Sequence, residues 1–536
     1  MREYTLSIKD MMAGGLRPDD RVPRNSGFLE TCQNVRVSQV GGVSDLSVFT
    51  PVTDPFAAGY LTAQSITIAH PFPQIFKGSG GTYLLTATKI YNVIEAANWT
   101  VSQITTYDGY DIGTAKSITG SGSWHMADFG TAYAFFNGTS IVFSTNRYNM
   151  FGESTSALVT NDITVNTGCA FRGRMIMGGF NSSNFWNDHW DAFLRELHDN
   201  GLGISFPTAP GSNYVWWSDI GEGGFFLLYP DAEFYGLLTN DEVDIFTEKR
   251  NKLYETIEKN LMGFRPMPWQ GAVRCVKPLG NGVMVYGDEG ISYMPSVQGT
   301  FGLQDVLAIG VAGRSAVGAN SLLNPTENVF VDDNGWLYRM SEGKGLKRLG
   351  YREYFEDIVD TDIVISYDPV EREYHIANST QCFVLTEEDK LYESTYLVTS
   401  TAMYSGNAVG VYQRPGNSDD AYAIIKSGPM DFGVAGIHTV EGIVVSMTSA
   451  ATSSTTVTVA MQWKMNLKDT WYTTPYKPIN YEGGVYFPVR GVEFKVLIRS
   501  TSYSAMDIDD IVVRFKTTDK RLIRGFSIDR RGNVNA

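Results

Sequence analysis

The chain has 536 residues, 43% apolar and 19% charged, with 58 acidic and 43 basic side chains and a formal net charge of −15. This balance excludes a disordered chain, and it excludes an avid nucleic-acid binder, whose affinity would rest on clustered lysine and arginine. Cys32, Cys169, Cys275 and Cys382 are widely separated and lack C-x-x-C spacing. They fit reduced cytoplasmic thiols better than a zinc site or a disulfide framework.

The opening Met1–Asp10 has no long apolar core, and no run of about eighteen apolar residues occurs, so neither a signal peptide nor a membrane-crossing helix is expected. The sequons at Asn98, Asn137 and Asn378 are expected by chance in a threonine-rich chain. Residues 1–55 read as an N-terminal arm and first strand. Pro18 and Pro23 reject a helix interior, and Cys32–Val37 alternates like a strand.

From 56 to 430 the pattern becomes periodic. Six stretches read as hairpins: Tyr83–Val93, Ala132–Phe143, Arg174–Ser218 (with inserted material), Val283–Tyr293, Val329–Tyr338 and Tyr374–Leu385. Asn137-Gly138 and Asn334-Gly335 are strong hairpin turns. The turns around Gly290, Gly335 and Thr380 recur about every 45 residues, a blade-like period. One hairpin cannot bury its apolar face, whereas a ring of them can. The expected fold is therefore mainly β, with a β-propeller core.

Residues 181–270 interrupt the period. Phe185–Leu197, with Trp186 and Trp190, and Asn240–Met262 are spaced as amphipathic helices. Thr239-Asn240-Asp241-Glu242 offers a capping box, Gly263 the C-terminal cap and Pro266 a stop. The stripe Val243, Phe246, Leu253, Ile257 and Leu261 is a candidate contact to a neighbouring subunit. Residues 431–515 alternate at period two, at 441–447, 455–463, 484–489, 492–500 and 508–515, and suggest an antiparallel β-sandwich. The tail at 516–536 is basic. Its Arg521, Arg524, Arg530 and Arg531 read as solvated or as docking on an acidic neighbour.

Catalytic constellations are missing. There is no Walker A loop, no G-x-G-x-x-G opening a helix, no H-E-x-x-H and no G-x-S-x-G. Asp332-Asp333-Asn334-Gly335 starts like a calcium loop, yet its twelfth position is Gly343, so it reads as a turn. His189 and His198 fall on opposite faces of a helix. No enzyme activity, cofactor or metal is expected.

Several segments resemble phage proteins. Ser7–Leu16 with Pro18, then Asn34 and Gly41-Gly42-Val43, is similar to the opening of tail tubular protein B, the nozzle of short-tailed phages. Gly287–Tyr293, Gly310–Gly313 and Val329–Tyr338 resemble blades of tail hub proteins, including packaged-DNA stabilisation proteins. The stretches Val489–Val496 and Val512–Phe515 resemble that group's last sandwich strands. The chain is shorter than the long nozzle proteins, and its helical insert has no counterpart in them.

The resemblance implies a hexameric ring in the virion tail, assembled in the host cytoplasm. It would sit beneath the portal and head–tail adaptor, carry fibres or spikes, and pass double-stranded DNA through its lumen. An acidic, carboxylate-lined channel would give that polyanion nothing to hold. Two other functions compete: a carbohydrate- or receptor-binding propeller using Trp186, Trp190, Trp216 and Trp217, possibly a depolymerase, and a protein-scaffolding propeller.

Overall fold

The computed structural model describes residues 3–19, 24–37, 42–45, 61, 65–94, 100–104, 106–107, 110–111, 118–120, 122–130, 133–143, 159–160, 164–181, 211–218, 263–297, 300–359, 362–404, 407–413, 423–433, 436–447, 457–500 and 506–519. The chain divides into two compact units. One comprises 53–379 and 398–413, the other 1–52, 380–397 and 414–536.

The larger unit is a β-propeller. Its first blade is the antiparallel sheet Gln74–Gly78, Gly81–Leu85, Ile90–Ile94 and Thr100–Gln103. The second is His125–Asp128, Tyr133–Phe136, Ile141–Phe143 and Val159–Thr160. The third is Thr164–Phe171, Arg174–Asn181, Tyr214–Trp217 and Gly263–Pro266. The fourth contains Val273–Leu279, Gly282–Gly287, Ile291–Val297 and Gln304–Leu307. The fifth is Val317–Ala319, Glu327–Val331, Leu337–Ser341 and Gly345–Gly350. Two strand pairs take the next positions: Val364–Asp368 with Glu373–Ala377, and Leu397–Tyr404 with Asn407–Gln413.

Adjacent blades bury apolar faces against each other, as hairpins of this kind must. Tyr83, Leu85 and Ile90 pack on Trp124, Met126 and Phe135 between blades one and two. Phe171, Ile176 and Trp217 meet Val273, Val276 and Val285 between three and four. Cys275, Met284 and Tyr286 meet Val317 and Phe330 between four and five. The amide of Ile365 donates to the Ser315 carbonyl (2.9 Å), and Thr401 Oγ1 donates to the Tyr367 carbonyl (2.7 Å). The ring closes where Ala402 and Val411 pack with Ile75, Leu84 and Val93, and where the Ile75 amide donates to Ser400 Oγ (2.6 Å).

Five of the expected hairpins are formed inside this ring, while the strands of the sixth, Glu373–Ala377 and Cys382–Leu385, fall in different units. Gly263 and Pro266 bound a strand in register with Tyr214–Trp217. The Phe264 ring packs on that of Trp216 with 4.7 Å between centroids, a cross-strand aromatic pair. The proposed helices themselves lie outside the described residues.

The smaller unit is a sandwich of two mainly antiparallel sheets. One contains Val35–Val37, Val43–Asp45, Ile508–Asp519, Ile437–Met447 and Gly484–Gly491, with Glu3–Ser7 on the far side of Ile508–Asp519. The other includes Cys382–Leu385, Leu391–Ser394, Leu29–Gln33, Ala423–Ser427, Glu493–Ser500 and Val457–Lys464. Phe432 bridges the two layers, stacking at 4.4 Å on Phe515 and at 5.0 Å on Phe494.

The expected arm is thus woven into this sandwich, and Lys516–Asp519 of the expected tail continue its last strand. Cys32–Val37 is two strands, not one. Asn34 between them sits at φ +55°, and its side chain is locked by Thr395 (2.9 and 3.0 Å).

Candidate functional site

The innermost strands of the propeller line an open axial cavity of about 320 Å³. That volume suits a small ligand. It cannot admit a DNA duplex, which is about 20 Å across and takes up roughly 1,000 Å³ for each 3.4 Å base-pair step. Its apolar wall is built by Ile75, Trp124, Val317, Leu322, Val364 and Ile365, contributed by different blades. Inner strands converge there because each presents one face to a neighbouring blade and one end to the axis.

The polar groups of the cavity are cationic or neutral. Lys77 and Lys277 line it together with His125, Ser315, Ser366, Ser400 and Thr401, and no aspartate or glutamate does so among the described residues.

Most of the hydroxyls and amides are spent on closing the ring. Gln74 Oε1 accepts from the Trp124 amide (2.5 Å), and His125 Nδ1 lies 2.8 Å from Thr167 Oγ1. Burial, aided by Lys277 and Arg314, holds the His125 imidazole well below its ordinary pKa, so it is neutral. Burial pushes the Cys169 and Cys275 thiols up, so neither is a nucleophile at neutral pH. Two groups are left over. Lys277 makes no hydrogen bond or ion pair among the described residues, and Ser366 Oγ is buried without a partner.

Next to Ser315 stands Arg314, whose guanidinium is a staple. It donates to the carbonyls of Asn137 (2.6 Å), Asn166 (2.7 Å) and Ser123 (3.1 Å), with a longer contact to that of Phe136 (3.4 Å). Burial pushes its pKa down to about 10, so it stays charged at neutral pH. A Cβ on Gly122 would fall 2.5 Å from Nη1, which is why glycine occupies that position. Arg314 thus ties the approach to the fifth blade onto blades two and three.

Other candidates resolve as structure. Trp216 and Trp217 are buried in the third blade and offer no sugar platform. Asp332 Oδ1 accepts from the amides of Asn334 (2.9 Å) and Trp336 (2.7 Å), closing a turn with Gly335 at φ +80°. The contact candidates Val243, Phe246, Leu253, Ile257, Arg521, Arg524, Arg530 and Arg531, and Trp186 and Trp190, lie outside the described residues. Sequence reading missed Lys277, Arg314 and Ser366. The one signal was a lysine between apolar residues in the run Cys275–Leu279.

No protein-family model matches the chain, and no curated protein matches it. Among solved structures it is similar to PorZ, a surface component of the type-IX secretion system of Porphyromonas gingivalis, at 9% identity and a TM-score of 0.32, over 67% of this chain and 42% of that one. The chain thus spans less than half of PorZ. It is similar to the Neurospora crassa Pan2 WD40 domain at 7% identity and a TM-score of 0.32, over 64% and 90% of the two chains. A third similarity is to YCF48 from Cyanidioschyzon merolae, at 10% identity and a TM-score of 0.27, over 59% and 80%.

Proposed function

We propose that this chain is a non-catalytic structural component of a short-tailed phage tail, of the nozzle or hub kind, working as one copy in a hexameric ring. What carries the reading is the opening motif that resembles the nozzle family. Gly14 and Gly15 form a docking point where side chains do not fit. A Cβ on Gly14 would lie 2.6 Å from the Phe28 ring, and Gly15, at φ +71°, has the Leu391 carbonyl 3.1 Å from its Cβ position. The Leu16 amide donates to that carbonyl (3.0 Å), and Leu29 donates back to Gly15 (2.7 Å). The phrase is therefore a structural joint in this chain.

In this reading the genome passes between copies, through a lumen that the ring of subunits encloses, because the axis of a single propeller is too small. The net charge of −15 keeps DNA from adhering to the walls. Portal-side or adaptor proteins would meet one end of the ring, and fibres or spikes its exterior. Immunogold labelling of phage particles with antibody to this chain tests the proposal. Gold at the tail is expected; particles that lack the label and the chain would refute it.

A further inference from the structure

We infer that the axial cavity of the propeller is a binding site for a small organic carboxylate with an apolar body, held by the Lys277 ammonium and the Ser366 hydroxyl. The inference does not depend on the tail assignment.

Three observations converge on one space. The cavity, at about 320 Å³, is walled mainly by aliphatic and aromatic side chains from several blades. Lys277 reaches it half-buried and makes no ion pair or hydrogen bond among the described residues. Ser366 Oγ is buried with no partner, although an orphaned hydroxyl is costly. A ligand that accepts from both would satisfy both.

The charge pattern selects the sign. Arg314 beside the cavity is satisfied by neutral carbonyls, so its charge is not cancelled by a bonded carboxylate. No acidic residue lines the cavity among the described residues, and the buried His125 is neutral. The buried Cys169 thiol keeps its proton and does not compete as an internal anion. Among the described lining residues a cation would meet only like charge, since Asp362 acts on Arg314 from outside the lining. A fully polar anion would leave the apolar wall wet, so an organic acid fits better than inorganic phosphate.

Titration calorimetry on the full chain tests this with three probes: 4-phenylbutyrate, its neutral amide and inorganic phosphate. The carboxylate should bind at least about tenfold more tightly than the amide, because the charge-assisted contact to Lys277 is lost with the charge. Lys277→Met should bring the carboxylate down to the affinity of the amide, Lys277→Arg should retain most of the preference, and Ser366→Ala should weaken it a few-fold. Should Lys277→Met fail to fold by circular dichroism, the wild-type chain still decides, since added salt should weaken the carboxylate and spare the amide. No measurable binding of phenylbutyrate, equal binding of the amide, tighter binding of phosphate, or full affinity in folded Lys277→Met would each overturn the inference.

Discussion

Leu6 lies opposite Val513, so the first strand of the described chain pairs in register with the last. The Ile8 amide continues the contact, donating to the Ile511 carbonyl (2.9 Å), and the Ile8 side chain is fully buried. Ile8→Ala should therefore lower the stability of the sandwich by about 2–4 kcal/mol through a lost side chain and the cavity left behind. Urea denaturation followed by amide exchange of Ile508–Asp519 measures this. Unchanged protection of that strand would mean that the opening segment contributes nothing.

The Arg314 staple predicts a propeller-specific loss. Arg314→Met leaves the carbonyls of Asn137 and Asn166 without their charged donor, at a cost of at least about 2 kcal/mol. Arg314→Lys should recover part of it, because one ammonium cannot span all these carbonyls. The midpoint of chemical unfolding for the propeller unit is the readout.

His125 predicts acid sensitivity. Its folded pKa lies below the ordinary 6.5 because burial opposes the charged ring. Between those values the unfolded chain binds the proton and the folded chain does not, so stability falls as pH drops below about 6.5. The slope is up to about 1.4 kcal/mol per pH unit for one group. His125→Gln should show a shallower decline in melting temperature between pH 6.5 and 5 than the wild-type chain, and an identical slope would contradict the assignment.

Gly335 tests the turn reading of the acidic segment. At φ +80°, with the Glu356 amide 2.6 Å from where a Cβ would lie, an alanine is both strained and in collision. Gly335→Ala should cost about 1–3 kcal/mol. Calcium should not alter the melting temperature of either form, since Asp332 is engaged by the turn's own amides.

Much of this architecture could be read from residue order. Asn137-Gly138 and Asp332–Gly335 marked their turns correctly because these residues satisfy the backbone locally. The strands from Ile437 to Asp519 were visible because one face of each is buried, which imposes period two. What alternation could not reveal was partnership over distance. Glu3–Ser7 has no local signal tying it to a strand that closes the described chain. The strand Gly263–Pro266 was hidden because composition does not show that Tyr214–Trp217 waits beside it. The cavity escaped for the same reason, since Lys277 and Ser366, about ninety residues apart, line it only once the blades assemble.

The central claim is a ring of copies in a phage tail, and electron cryo-microscopy of intact tails addresses it most directly. The account predicts a six-fold ring in which each subunit fits this propeller and sandwich, with the DNA path between subunits. Tails without such a subunit, or density for DNA running through the axis of a single propeller, would contradict it.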